Sequence, residues 1–240
     1  MSRVEIVPGK AEIVHQAVEY FVRSAEEAIR KNGVFSAALS GGGTPEPVYQ
    51  ALAEPANRGR VDWEHVHLFW GDERHVPPTA PQSNYRMVRE ALLDRITIPA
   101  GNVHRVPAEM EARMAAFQYE EELRRFFDGD WPVFDLILLG MGGDGHTASL
   151  FPQSAGLNED FRWFIANFAP SLDAWRLTLT APAINAARLV LVLVAGEGKA
   201  ARLKAVLNVS RDPGEMPIQL IEPAAGEMVW LVDQAAAGQL

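Results

Sequence analysis

An aspartate and a histidine stand two residues apart in a glycine-rich loop near the middle of the chain. The loop, residues 140–147 (GMGGDGHT), follows the apolar run 134–139, which predicts a buried strand that ends at a glycine break. Imidazole has an unperturbed pKa of about 6.5, which suits proton transfer near neutral pH. Asp144 and His146 are therefore predicted to be catalytic, with a carboxylate and an imidazole set close together on a tight turn.

The same loop allows two other interpretations. Gly140, Gly142 and Gly145 match the G-x-G-x-x-G fingerprint of dinucleotide-binding proteins. That fingerprint requires a long helix directly after the loop and an acidic residue about 20 positions on, at the end of a second strand. Pro152 interrupts any such helix within two turns, which disfavours a nucleotide. A purely structural glycine turn that carries a surface histidine stays open as the second alternative.

A second glycine-rich loop, residues 40–45 (SGGGTP), follows the predicted strand 34–39. Thr44 suits an N-cap, and Pro45 suits the first position of a helix that continues to residue 53. Backbone N–H groups at Gly42 and Gly43 would meet the positive end of that helix, a combination that favours phosphate. Gly42, Gly43 and Thr44 are therefore predicted to bind a phosphate group. A tight strand–helix connection without any ligand is the alternative.

Three cationic side chains are candidates for the same anion. Arg74 closes the predicted turn 71–74 (GDER) after the predicted strand 65–70, and Asp72 in the same turn is also predicted to bind the substrate. Lys199 lies in the first turn of a predicted helix, where a cation opposes the helix dipole unless an anionic ligand is present. Arg176 lies on the predicted strand 175–180. A surface ion-pair turn and an exposed lysine are the competing interpretations.

Predicted strands alternate with predicted helices, which is typical of a largely parallel sheet covered by helices. The predicted helices include residues 11–31 and 108–127. The predicted strands cover residues 4–7, 34–39, 65–70, 134–139, 161–168, 175–180, 189–194 and 228–232.

Because ligands bind beyond the carboxyl ends of such strands, the four glycine-containing loops should meet at one pocket. These loops are residues 40–44, 71–74, 140–146 and 196–199. The chain is therefore predicted to be a single-domain α/β protein, residues 1–240. We expect a Rossmann-like, open, mostly parallel sheet with helices on both faces.

The amino-acid composition limits the kinds of molecule that the protein is expected to bind. The 240 residues are 48% hydrophobic and 22% charged, and the formal net charge is −9, which argues against binding to nucleic acid or an anionic membrane. No cysteine is present, so thiolate metal sites and cysteine nucleophiles are excluded. His65 and His67 could lie on one face of a strand, as two ligands of a zinc site would. No third metal-ligating residue follows at a spacing typical of such a site. We expect a cytoplasmic enzyme that acts on a small phosphorylated metabolite without a metal or another cofactor.

Five blocks of sequence carry a resemblance to a known family: residues 40–45, 71–74, 140–152 (GMGGDGHTASLFP), 176–180 with Asn185, and 196–200. Together they resemble the 6-phosphogluconolactonase family, in the glucosamine-6-phosphate isomerase/6-phosphogluconolactonase superfamily. The resemblance implies metal-independent hydrolysis of 6-phospho-D-glucono-1,5-lactone to 6-phosphogluconate, the second step of the oxidative pentose phosphate pathway. It also implies the fold of glucosamine-6-phosphate deaminase and a monomer.

The deaminase is the rival activity within this superfamily. Its loop resembles this one through Asp-Gly-His, but it continues to a glutamate five residues after the histidine, which assists opening of the sugar ring. This chain has Phe151 at that position, and a phenyl ring cannot carry a proton. The deaminase-like loop also has a tyrosine where Arg74 stands. Both departures favour the lactonase.

The resemblance allows a mechanism to be stated as a hypothesis. His146 would act as general base on water, and N–H groups of the glycine loops are candidate donors to the oxyanion, with their identity left open. Gly142 and Gly143 are predicted to bind the substrate. Asp144 would either orient the imidazole or hold a sugar hydroxyl, a choice that the sequence leaves open. Two other classes of function remain, namely a sugar-phosphate sensor without turnover and a nucleotide-binding oxidoreductase.

Overall fold

The computed structural model describes residues 2–208 and 211–240. Within these residues the strands are β1 (Ser2–Val7), β2 (Phe35–Leu39), β3 (Val66–Trp70), β4 (Asp72–Arg74), β5 (Val103–His104), β6 (Leu136–Gly140), β7 (Phe164–Ala169), β8 (Ala174–Leu179), β9 (Leu189–Val194) and β10 (Glu227–Asp233). The helices are α1 (Lys10–Asn32), α2 (Glu46–Ala53), α3 (Pro55–Arg58), α4 (Asn84–Ala91), α5 (Ala112–Phe126), α6 (Ala181–Asn185) and α7 (Ala200–Asn208).

Seven strands form a parallel sheet in the order β1-β10-β9-β6-β2-β3-β5. From β2 the chain winds outward through β3 to β5, whereas from β6 it winds the other way through β9 to β10. The winding direction therefore changes between the neighbouring strands β2 and β6. Open parallel sheets bind their ligands beyond the carboxyl ends of the strands at such a point. The predicted α/β fold with a mostly parallel sheet is confirmed.

The central strands owe their composition to their position. β9 has the sequence LVLVLV, and five of its six residues are buried. β2 is buried along its whole length. A strand that is covered on both faces needs apolar side chains at every position, not at alternate ones. This is why residues 136–139 and 189–194 stand out as unbroken apolar runs in the sequence.

Helix α1 is one residue longer at each end than predicted. Ile13, Ala17 and Phe21 recur at helical spacing and are fully buried. The helix stops at Gly33, which adopts a left-handed backbone with φ of 80° and donates its N–H to the carbonyl of Ile29 at 2.9 Å. The buried face of α1 packs against α2, β2 and β10, and so fixes α2, the helix that follows the glycine-rich loop 40–45.

A second, antiparallel sheet with the order β4-β8-β7 corrects the prediction of a turn at residues 71–74. Gly71 links the two sheets, because its N–H donates to Leu39 and its carbonyl accepts from Leu179, both at 2.8 Å. Asp72–Arg74 then continues as a strand that pairs with β8. Pairing between segments about 100 residues apart supplies these hydrogen bonds, and no local sequence signal encodes it.

Two further observations complete the fold. Helix α5 begins four residues later than predicted because the Glu111 carboxylate accepts hydrogen bonds from the N–H groups of Arg113 and Met114, both at 3.1 Å, and so caps it. Apolar side chains of both sheets belong to one buried core. No helix in the described ranges 2–208 and 211–240 combines the length and the apolar character needed to cross a bilayer.

Candidate active site

The glycine loop after β2 and the Asp–His loop after β6 lie side by side, since these two strands are neighbours at the switch point. They line a cavity of about 250 Å³ together with residues from two other strand ends. An adjoining cavity of about 330 Å³ shares Asp72, Arg74, His146 and Ala148 with it. Every predicted site residue lines one of the two cavities: Gly42, Gly43, Thr44, Asp72, Arg74, Gly142, Gly143, Asp144, His146, Arg176 and Lys199.

The Asp144 carboxylate holds the His146 side chain through its first ring nitrogen. Asp144 Oδ1 lies 2.6 Å from His146 Nδ1, and it also accepts the backbone N–H of His146 at 3.1 Å. A carboxylate at this distance fixes a proton on Nδ1, so Nε2 carries the lone pair. The imidazole therefore has a basic nitrogen at Nε2, and the Asp144 carboxylate fixes the orientation of the ring through Nδ1.

Burial and hydrogen bonding act against each other on Asp144. Partial burial raises the pKa of its carboxyl, but the N–H of His146 and the positive charge of a protonated His146 ring lower it more. The net pKa lies below the ordinary value. Asp144 therefore stays ionised across the range in which an imidazole accepts protons, and it can stabilise the imidazolium that forms.

The turn that carries this pair depends on two glycines. Gly145 has φ of 86°, a left-handed backbone, and it donates its N–H to the carbonyl of Gly142 at 3.1 Å. A Cβ at Gly142 would overlap His146 Nδ1 and Asp144 Oδ1. Any side chain at position 142 would therefore displace the very atoms that form the Asp–His hydrogen bond.

The glycine loop after β2 differs in one detail from the prediction. Helix α2 begins at Glu46 with Pro45 at its cap, and Thr44 does not cap it, which corrects the predicted N-cap. The first helical hydrogen bond instead runs from the N–H of Glu46 to the carbonyl of Gly42 at 3.2 Å, because Gly42 has φ of 102° and turns that carbonyl towards the helix. The Thr44 hydroxyl is thus left for the cavity that this residue lines.

Arg74 and Arg176 occupy paired positions on the antiparallel strands β4 and β8. Each donates to one backbone carbonyl, Arg74 to Gln82 at 2.7 Å and Arg176 to Trp175 at 3.0 Å, and neither forms a salt bridge with any described residue. Burial, followed by the charge of Arg74, lowers the pKa of Arg176. Two cations held together in this way create a site that an anion would stabilise.

Asp72 is buried beside these cations, and its orientation is set by Ser149. Asp72 Oδ2 accepts the Ser149 hydroxyl at 2.7 Å. The neighbouring Glu73 turns the other way, because its carboxylate accepts the backbone N–H groups of Asn84 and Tyr85 at 2.7 and 2.8 Å. Of the two carboxylates in the predicted turn, Asp72 therefore lines the cavity and Glu73 holds the start of α4.

Comparison with known proteins places this geometry in a family. Residues 8–230 match the model described as glucosamine-6-phosphate isomerases/6-phosphogluconolactonase. The chain is 40% identical over 241 residues to a 6-phosphogluconolactonase of Nostoc sp., with 99% of this chain and 98% of the relative covered. It belongs to the glucosamine-6-phosphate isomerase/6-phosphogluconolactonase family.

Solved structures agree with this assignment. The crystal structure of 6-phosphogluconolactonase from Thermotoga maritima superposes with a TM-score of 0.85 at 33% identity, covering 97% of this chain and all of the other. A monomeric glucosamine-6-phosphate deaminase superposes with a TM-score of 0.82 at 17% identity, covering 99% and 100% of the two chains. At this identity, the likeness to the deaminase shows only that the two proteins share a fold. That fold is the one that the resemblance in the sequence implied.

Within this two-activity family, the residue five positions after the histidine has a definite place. The buried Phe151 ring lies against His146, with ring centroids 4.4 Å apart and an interplanar angle of 31°. The position therefore contacts the imidazole directly. A carboxylate there would act on the histidine, whereas the phenyl ring only packs against it.

Sequence reasoning missed three polar side chains that support the site. Lys10 Nζ donates to the carbonyl of Gly43 at 2.7 Å, and Arg202 Nε donates to the carbonyl of Gly143 at 3.1 Å. Ser149 orients Asp72, as described above. The two cations belong to helices α1 and α7, far from the loops in sequence, so no local motif marks them. Ser149 alone carried a signal, since it lies inside the 140–152 block.

Proposed function

We propose that this protein hydrolyses 6-phospho-D-glucono-1,5-lactone to 6-phospho-D-gluconate, the second step of the oxidative pentose phosphate pathway. The observation that carries the proposal is the Asp144–His146 pair, which leaves His146 Nε2 as a base beside a cationic pocket. The Nostoc and Thermotoga relatives that carry the name of this activity support it. Phe151 in contact with the imidazole supports the lactonase over the deaminase.

The proposed reaction needs a base but no covalent nucleophile on the protein, because a lactone is already an activated ester. His146 Nε2 accepts a proton from water as the water oxygen attacks the carbonyl carbon, C1. The carbonyl oxygen becomes an oxyanion, which the N–H group of Gly143 would stabilise, because the N–H of Gly142 already donates to the carbonyl of His146 at 2.8 Å. The imidazolium then returns its proton to the ring oxygen as the bond from C1 to that oxygen breaks. General-base catalysis of this kind contributes about 10²–10⁴-fold.

The phosphate would serve as a handle remote from C1. Arg74, Arg176 and Lys199 supply charge, and the loop at Gly42 and Gly43 supplies N–H groups near the start of α2. Lys199 Nζ makes no salt bridge or side-chain hydrogen bond within residues 2–208 and 211–240, so it is free for a ligand. Binding energy from this end of the substrate would orient C1 against His146.

The proposal extends to the setting of the enzyme. Its partner would be the small lactone, with no nucleic acid, membrane or cofactor, and it would act in the cytoplasm as a monomer. Light scattering on the purified protein checks the last point. A particle of 26.4 kDa is expected, the mass of one chain.

The test follows acid release from the lactone generated in situ, with the spontaneous rate as blank. Wild type and His146→Ala run side by side, and ammonia release from glucosamine 6-phosphate is measured in parallel. Fast acid release that the substitution lowers by about 100-fold or more would support both substrate and base. Ammonia release, or a wild-type rate equal to the blank, would overturn the proposal.

A further inference from the structure

A buried hydroxyl in the cavity, that of Ser40, has no hydrogen-bond partner among the described residues. Ser40 follows the last residue of β2, is 4% exposed, and lines the cavity with Asp72 and His146. Its Oγ forms no hydrogen bond with any atom of the described residues. Buried polar groups are nearly always hydrogen-bonded, so an unpaired hydroxyl in a cavity needs an explanation.

The other buried serines show how this protein normally treats such groups. Each has a side-chain hydrogen bond to a defined partner, and none of them is left unpaired. Two other buried side-chain atoms without a hydrogen bond occur among the described residues, Trp70 Nε1 and Arg89 Nε, and neither residue lines this cavity. The buried serines with partners are Ser36, Ser83, Ser149 and Ser154.

The backbone of Ser40 is clamped, so the unpaired hydroxyl is not the result of a loose segment. The Ser40 N–H donates to the Tyr49 hydroxyl at 3.0 Å, and that hydroxyl donates to the Ser40 carbonyl at 2.8 Å. Tyr49 is fully buried. Both backbone groups are thereby satisfied, and only Oγ remains for a ligand in the cavity.

The chemistry of the cavity indicates which part of a ligand lies near Ser40. Cations and glycine N–H groups provide for the phosphate, and His146 provides for the carbonyl carbon. The carbon chain between these two ends carries hydroxyl groups. A serine hydroxyl both donates and accepts, while the buried Asp72 carboxylate accepts, which together match an uncharged hydroxyl. We infer that Ser40 Oγ hydrogen-bonds a hydroxyl of the substrate's carbon chain next to Asp72, as a specificity-determining contact. This inference rests on the proposed function.

The first experiment compares Ser40→Ala with Ser36→Ala, the same change at a buried position of β2, the strand that Ser40 follows. Ser36 Oγ hydrogen-bonds Asp135 outside the cavity. Ser40→Ala should lower kcat/KM for the lactone about tenfold, the effect of one hydrogen bond, without lowering Tm. Ser36→Ala should lower Tm and keep kcat/KM per folded enzyme. A kcat/KM of Ser40→Ala within twofold of wild type, or a Tm loss like that of Ser36→Ala, would overturn the inference.

Two ligands locate the contact on the substrate. The inhibition constant of inorganic phosphate should be the same in wild type and Ser40→Ala, whereas a tenfold increase would make Ser40 a phosphate ligand and refute the hydroxyl assignment. Lactones lacking one hydroxyl, at C2, C3 or C4, identify the partner. For one of them, wild type and Ser40→Ala should have equal kcat/KM, because the lost hydroxyl leaves nothing to contact. A tenfold difference retained with all three would also refute it.

Failure of the proposed function is a separate result. If wild type does not accelerate lactone hydrolysis, binding of 6-phosphogluconate is followed by tryptophan fluorescence, since Trp70 ends the strand next to β2. Binding about tenfold weaker in Ser40→Ala would retain the Ser40 contact without the reaction. Equal binding of 6-phosphogluconate by wild type and Ser40→Ala would overturn the Ser40 contact alone. If wild type does not bind 6-phosphogluconate, both the Ser40 contact and the proposed function are overturned.

Discussion

Arg74 and Arg176 stand opposite each other as cross-strand partners on β4 and β8, with no salt bridge to either among the described residues. Like charges at such positions destabilise a sheet pair. Both guanidinium groups border the cavity that contains Asp144 and His146. The arrangement costs stability in the free protein and provides two forks for a phosphate, which accepts bidentate hydrogen bonds from arginine.

Replacing Arg176 by Gln should therefore weaken substrate capture without destabilising the fold. Loss of a hydrogen-bonded charge on phosphate should raise KM by roughly 10- to 100-fold, while kcat changes little. Tm should stay the same or rise, because burial and the charge of Arg74 already lower the pKa of Arg176. Steady-state kinetics and thermal unfolding measure the two effects.

The control for this prediction is Arg188→Gln. Arg188 lies just before β9, at the opposite end of the sheet, and pairs with Asp135 at 3.3 Å. Its replacement should leave KM unchanged. An unchanged KM in Arg176→Gln would exclude Arg176 from the phosphate site. A large fall in kcat with an unchanged KM would instead mean that Arg176 acts near C1, the carbonyl carbon of the lactone.

Asp144→Asn should lower kcat by roughly 10- to 100-fold with little change in KM. The substitution keeps the shape of the side chain but removes the charge that fixes the Nδ1 proton and stabilises the imidazolium. The measurement is kcat and KM for the lactone across pH 6 to 9. A raised KM at constant kcat would instead mean that Asp144 holds a sugar hydroxyl, the alternative that the sequence left open.

Much of this site could be predicted because its residues follow strands with strong local signals. Residues 136–139 and 189–194 are unbroken apolar runs, and a glycine within two residues of the end of each run marks where the chain leaves the sheet. Parallel strands then bring Gly42, His146 and Lys199 to one edge by topology alone. Local periodicity and one rule about parallel sheets were sufficient for that step.

The remaining features depend on contacts between distant segments. Arg74 and Arg176 face each other because of the register between the antiparallel strands β4 and β8. The sequence predicted a turn at residues 71–74 instead of a strand, so this pairing could not be predicted. Lys10 and Arg202 hold loop carbonyls from two different helices. The composition of a helix shows which face is apolar, but it does not show which loop an exposed cation will reach.

The Phe151 position tests how the two activities of the family diverge. Phe151→Glu should lower lactonase kcat at pH 7 and move the acidic limb of the pH–rate profile to higher pH. A carboxylate in contact with the imidazole favours its protonated form, which is not a base. The rate is measured from pH 5.5 to 9.

Phe151→Gln is the matched control, since it has the same shape as the glutamate without its charge. It should reduce the rate through lost packing and leave the acidic limb where it is in wild type. If both variants shift the limb equally, the cause is altered packing around His146, and the electrostatic explanation is wrong.

His67 should make the fold sensitive to acid. Its Nδ1 lies 3.1 Å from His104 Nε2, and His104 Nδ1 in turn contacts Glu122 at 2.7 Å. Burial, followed by the charge of His104, lowers the pKa of His67 to about 4. The unfolded chain binds this proton at about pH 6.5, so between these values the unfolded state binds more protons and stability falls as pH falls.

Thermal unfolding from pH 7.5 to 4.5 measures this effect. Wild-type Tm should fall on acidification below about pH 6.5, and the fall between pH 6.5 and 5 should be shallower in His67→Gln, which has no imidazole to protonate at this position. His15→Gln, a change at an exposed histidine of α1, should follow the wild-type curve. Parallel curves for His67→Gln and wild type would show that acid destabilises the fold through other groups, because the only change in that comparison is the His67 imidazole.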